Sequence, residues 1–237
     1  SEFNFAEYNV RFTPDIVGRP TIGAEVGGFY GNGIYGGSFI MLSDILGNHN
    51  IMLAGSVNGS FSDATFFGGY EFLKRRANYG FALLQVPLYR YGGSGYFTDE
   101  NGDLIGADRF MRDVTRSVQG VMRYPFNTFQ RLEFGASASF MKRDMVERGV
   151  NISRNQPVDR TTRYDDAKYY MPSTALVFDN SFFGWTGPIM GRRYRMQVSQ
   201  SFGDFRYTEG LVDFRNYLNI NRNIVFATRL LGLRSEE

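Results

Sequence analysis

The chain has 237 residues, of which 43% are hydrophobic; that is too apolar for a disordered protein and long enough for one large β domain or two ordinary ones. Lys and Arg total 26 against 24 Asp and Glu, a net charge of +2 with both signs interspersed, so nothing electrostatic points to nucleic acid as a partner. Cysteine is absent, which excludes disulfides and thiolate metal sites, and the 23 Phe, 15 Tyr and 28 Gly make a β composition.

No run reaches the roughly 18 uncharged apolar residues of a membrane helix. The opening "SEFNFAEYNV" lacks the basic and apolar regions of a secretory signal, so any signal is expected to have been removed or to lie outside these residues. Residues 1–17 read as a lead-in segment and 18–237 as one β domain. Eleven strands are expected, near 20–29, 33–45, 49–60, 64–75, 78–91, 110–125, 128–142, 168–181, 190–202, 205–219 and 222–233, with no amphipathic helix between them.

Taken in order, the first two strands flank "GGFYGNGIYGG" (27–37), which is rich enough in glycine to suggest a phosphate cradle. No Lys-Ser/Thr and no helix follow it, so a hairpin bend is the better reading. His49, the one histidine, lies in a short turn without a second metal ligand and reads as a solvated turn residue. In "IMLAGSV" Ile51, Leu53, Gly55 and Val57 alternate with Met52, Ala54 and Ser56. Lys74, Arg75 and Arg76 end the fourth strand, where they either reach lipid headgroups or are simply solvated.

Pro87 removes a ladder donor from the fifth strand and predicts a bulge or edge-like geometry. The following loop gathers Asp99, Glu100 and Asp103 without the spacing of a calcium loop. "VTRSVQGVMRY" sets Val114, Val118, Met122 and Tyr124 against Thr115, Ser117, Gln119 and Arg123, with Arg116 and Val121 out of pattern. "RLEFGASASF" sets Leu132, Phe134, Ala136, Ala138 and Phe140 against Arg131, Glu133, Gly135, Ser137 and Ser139. "GRRYRMQVSQSFG" sets Arg193, Arg195, Gln197, Ser199 and Ser201 against Tyr194, Met196, Val198 and Phe202.

Strands of this length suit a tilted crossing of a bilayer, which takes about 9 to 11 residues, better than an ordinary sandwich. The two longest connections, 92–109 and 143–167, are the fifth and seventh in order. Most even-numbered ones are short, as expected of an up-and-down barrel with short periplasmic turns and long outer loops. An arginine on the lipid side near the midplane would cost about 2–4 kcal/mol, so Leu132, Phe134, Tyr194, Met196 and Val198 are expected to face lipid. Arg131, Glu133, Arg193, Arg195, Asp213 and Arg215 then form a polar network in the lumen. With the turn centred near residue 204, Arg195 falls opposite Asp213, Arg193 opposite Arg215 and Glu209 opposite Ser199. Either an Arg195–Asp213 ion pair or a loosely solvated charged wall follows. Phe29, Tyr30, Tyr35, Tyr124, Phe126 and Trp185 sit near strand ends, as belt residues do, although Phe and Tyr favour strands generally.

The stretch 177–232 carries Asp179, a turn with Pro188 and Gly191, the basic and apolar alternation after Arg193, and then Asp213, Arg215 and Tyr217. It resembles the barrel of the bacterial surface antigen superfamily that contains BamA, TamA and the two-partner secretion transporters. "GGSFIMLSDILGNHNIMLAGSVNGSF", "YEFLKRRANYGF" and "YNVRFTPDIVG" are similar to the variant of that barrel that follows TolB-like propeller domains. The resemblance implies an all-β, antiparallel up-and-down transmembrane β-barrel of sixteen strands in the outer membrane, eleven of them present here. It also implies a weak seam between first and last strands and an inward loop with an Arg-Gly-aromatic motif beyond Glu237. Family members insert or translocate proteins, so the implied partners are outer-membrane lipid, client outer-membrane proteins and other envelope subunits. A passive pore or structural component is the alternative function, and a soluble ligand-binding β protein would need the apolar stripe to point inward. No nucleophile, base and orienting group form a set, so neither an enzyme nor a cofactor is expected.

Overall fold

A computed structural model describes residues 8–28, 31–99, 101–185, 187–221 and 224–237. Among them lie thirteen extended elements and no helix: β1 (Phe12–Val17), β2 (Thr21–Gly28), β3 (Gly31–Asp44), β4 (His49–Phe72), β5 (Asn78–Thr98), β6 (Leu104–Pro125), β7 (Gln130–Asn151), β8 (Gln156–Arg163), β9 (Ala167–Asp179), β10 (Phe182–Phe183), β11 (Pro188–Gly203), β12 (Tyr207–Asn221) and β13 (Ile224–Glu236). All pairings are antiparallel and join elements next to, or one removed from, each other in the chain, giving one all-β meander.

β4 is not a single crossing. Leu73 N–H donates to Asn48 O at 2.7 Å, and the His49 and Phe72 rings lie 5.1 Å apart, so the two ends of the element meet. β3 pairs with residues 50–59 and β5 with residues 66–72, one on each flank. The element is therefore a hairpin, and Gly59 at its bend holds φ at +84°, a value that suits glycine. β1 and β2 both pair with β3, and β8 and β9 both pair with β7; each couple is one strand broken by a bend. Among the described residues the chain thus passes along the sheet eleven times. β1 falls within the expected lead-in segment, so among the described residues the sheet begins at Phe12.

β2, β3 and the first half of β4 approach one another closely because glycine lines them. A Cβ on Gly36 would lie 2.1 Å from Thr21 O, and one on Gly33 2.3 Å from Gly59 O. The glycine-rich 27–37 stretch thus belongs to a hairpin in which Gly28 faces Gly31, with Phe29 and Tyr30 outside the described residues.

The largest departure from expectation lies in the two long connections. Residues 92–109 and 143–167 are mostly strand: β5, β6 and β7 run 21 or 22 residues each and pair nearly end to end, and β8 adds a fourth strand. They form an extension that stands beyond the turn joining β11 to β12. Pro87 sits just past Gln85, the last residue of β5 in register with β4, and stays opposite Val114 of β6, while the Gln85 amide donates to Ala64 O at 2.9 Å near this point. The register shift of this strand lies further on, between Tyr91 and Gly93.

With one register along β6 and β7, the even-numbered residues of both share one face and the odd-numbered share the other. Arg116 and Val121 therefore stay out of the polar and apolar pattern, and no bulge accounts for them. Arg116 lies at the end of the apolar run and donates to Gln85 Oε1 at 2.7 Å, while Val121 lies on the polar face.

Candidate functional site: a charged wall and an apolar wall

The polar face is concave. Asp15, Met41, Met52, Gln119, Ser137 and Ser173, from strands β1 through β9, line one cavity of about 610 Å³, so the sheet curls around this face. It remains open among the described residues, with β1 and β2 at one edge and β13 at the other.

On this face Arg195 stands opposite Asp213, Arg193 opposite Arg215 and Ser199 opposite Glu209, the register the turn near residue 204 dictates. The Arg195–Asp213 ion pair nevertheless does not form. Asp213 is taken by Arg215 of its own strand at 2.7 Å and by Arg229 of β13 at 3.0 Å. Arg195 turns the other way and donates to Glu133 Oε2 at 2.8 Å, spanning β9, where Ala175 and Val177 are small and buried. Glu133 also accepts from Arg131 Nε at 2.7 Å. Arg193 faces Asp179 across the β9–β11 pair, at 3.6 Å. The six expected network residues therefore share a face but form three separate clusters, centred on Glu133, Asp179 and Asp213. Arg229, the third member of the last cluster, was not singled out from sequence, because β13 reads as apolar on both sides.

The opposite face carries Leu132, Phe134, Tyr194, Met196 and Val198 together. Leu132, Leu176, Met196 and Val212 form one row across four strands, and Phe134, Thr174 and Val198 form the next. Phe134, Met196 and Val198 are exposed by 42, 51 and 59%, so this row has no protein cover. Tyr194 lies nearer the rim, its ring stacked on Phe178 with centroids 5.0 Å apart.

That rim is aromatic and basic. Tyr124 packs edge-on against Phe126, Phe129 lies near Phe178, and Trp185 is fully exposed. Arg76 reaches from the 73–77 turn to the next one: its Nε donates to Pro125 O at 3.3 Å and its guanidinium lies 5.0 Å from the centre of the Tyr124 ring. His49 is not a solvated turn residue, since its Nδ1 is 2.7 Å from Tyr70 Oη and its ring packs on Phe72 and Phe12.

Three of the motif positions converge on one corner of this rim. Asp179 accepts from Ser181 N–H at 3.1 Å, which shapes the connection to β11. Pro188 opens β11, where a missing N–H is tolerated. Gly191 has φ +105° and a Cβ there would lie 2.5 Å from Asn180 O, so a side chain is excluded twice over; it stands opposite Tyr217.

The acidic loop closes on itself. Asp99 Oδ1 accepts from the N–H groups of Asn101 and Asp103, each at 2.9 Å, and Arg154 pairs with Asp103, while Glu100 lies outside the described residues. The backbone hydrogen bond from Asp103 leads the effects that hold the Asp99 carboxyl below its ordinary value. Among the described residues no group of three or more His, Cys, Asp or Glu could hold a metal.

Sequence reasoning missed the network at the root of the extension. Arg112 bridges Asp144 at 2.5 Å and Asp63 at 3.3 Å, and Lys142 also reaches Asp144 at 3.2 Å. Further out, Arg109 pairs with Glu147 at 2.8 Å. Burial first, then the neighbouring Asp63 carboxylate, pushes the Tyr89 hydroxyl up to about 12. The available signal was opposite charge at facing positions of "ADRFMRDVTR" and "MKRDMVERGV". No known family model, no curated protein and no solved structure matches the chain.

Proposed function

We propose that this sheet is the wall of an outer-membrane β-barrel, with the apolar face toward lipid and the arginine-bearing face toward the lumen. The observation that carries the reading is the division of β7. From Leu132 to Phe140 its even-numbered face holds only Leu, Phe and Ala, while its odd-numbered face holds Arg131, Glu133, Gly135, Ser137 and Ser139. Eight steps of about 3.3 Å, tilted by roughly 40°, span about 20 Å, close to the roughly 25 Å apolar band of such barrels. An uncovered row of this kind would be an aggregation hazard in water.

Within that reading, the resemblance of the 177–232 stretch to the surface antigen superfamily favours a BamA-like role in inserting proteins into the outer membrane or moving them across it. The cavity on the polar face supports a second reading, a passive pore or structural wall. Purification only in detergent, heat-modifiable migration and flotation with vesicles after a carbonate wash are expected; a monodisperse protein without detergent would overturn the membrane reading. In proteoliposomes, faster folding of an added unfolded outer-membrane protein supports insertion, and solute conductance without such acceleration supports the pore.

A further inference from the structure

Three adjacent short turns, 45–48, 73–77 and 126–129, stand side by side on one rim. Leu73 N–H donates to Asn48 O, joining the first to the second, and Arg76 donates to Pro125 O and Phe126 O, joining the second to the third. None of the three contains Asp or Glu. Asp44, next to the first turn, is buried and accepts from His49 N–H and the Tyr8 hydroxyl. Glu71, next to the second, pairs with Arg123 at 2.7 Å. The acids closest in sequence are thus engaged elsewhere, and Lys74, Arg75 and Arg76 are all exposed. On either side the turns expose apolar groups instead: Ile45 and Leu46, then Phe126 and Phe129.

A turn that presents cations between exposed apolar side chains fits a surface where hydrocarbon meets anionic headgroups. Water alone gives no reason to hold Ile45 and Phe126 at the tips of turns. Arg76 has a different task from its neighbours, because its guanidinium is held by two carbonyls of the next turn and by the Tyr124 ring, which fixes the loop carrying Lys74 and Arg75.

We infer that this rim is a binding site for the phosphate of an anionic phospholipid headgroup, with Lys74 and Arg75 as the contacting cations and Arg76 as a positioning residue. The inference rests on the membrane reading above. The test is native mass spectrometry of the full chain extracted from vesicles of equal phosphatidylglycerol and phosphatidylcholine. The wild type should retain phosphatidylglycerol preferentially, and the K74Q/R75Q double variant should lose that preference by about thirtyfold, as two basic groups near an anionic surface would imply. The charge-keeping K74R/R75K variant should restore it, and heat-modifiable migration shows that each variant folds. An unchanged preference in K74Q/R75Q overturns the site, and release of the lipid by millimolar inorganic phosphate overturns the choice of a lipid-borne headgroup. A wild type that never enters the vesicles sinks the membrane reading itself, whereas one that enters without lipid preference sinks only this inference.

Discussion

β6 and β7 obey two different rules along their lengths. In the half near the short turns, the even-numbered face of the pair is Val118, Gly120, Met122 and Tyr124 beside Leu132, Phe134, Ala136, Ala138 and Phe140. In the extension the same face holds Arg112 against Asp144, Asp108 against Arg148, and Lys142. Backbone pairing continues across the boundary without a shift, so the fold itself does not require the change. On the membrane reading proposed above, what changes is the solvent that the face must meet: hydrocarbon tolerates the first pattern and penalises the second, and water does the reverse.

The comparison is broken most directly by placing the same charge in each half. Phe134→Arg should cost about 2–4 kcal/mol in unfolding measured in lipid vesicles, whereas Val150→Arg, on the same face of β7 but in the extension, should stay within about 0.5 kcal/mol. Equal costs would refute the assigned boundary. Glu133→Gln comes next: Arg131 and Arg195 lose their shared carboxylate on the polar wall, and a loss of about 1–3 kcal/mol is expected by urea titration. Asp159→Asn in the exposed β8, whose contact with Arg148 is 3.8 Å, should change almost nothing.

Gly191→Ala probes the rim shared by β9 and β11. With φ at +105° and Asn180 O in the way, a penalty of about 1–3 kcal/mol is expected, read as a lower temperature for loss of heat-modifiable migration. The last prediction concerns the acidic tip. The Asp99 carboxyl titrates below its ordinary value in the folded chain, so its contribution is complete above the ordinary value and disappears as pH falls through the lowered one. Amide exchange at Asn101 and Asp103 should accelerate over that acid window, while exchange in β7 between Leu132 and Phe140 stays constant.

The two halves also differ in how legible they were. Passes and turns of the lower half follow from period-two alternation and from glycine, and a turn centre near residue 204 suffices to place Arg195 opposite Asp213. The extension hid because its strands alternate charge with charge: in "MKRDMVERGV" both faces carry ionised groups, and hydrophobicity has no period to report. Partner choice on the polar wall was illegible for another reason. Register says which residues stand opposite, but a guanidinium on a long stem can pass over a small neighbour, and only the position of β9 shows that Ala175 leaves Arg195 a way to Glu133.

Because each pass of the chain, with the bent couples counted as one, lies beside the pass before or after it, the sheet can grow by successive zippering, each new hairpin docking on an edge already built. Under the barrel reading proposed above, ring closure would be the single long-range event left to such a chain, so the time needed to build the sheet should scale with hairpin formation and a slow, concentration-independent phase should report closure.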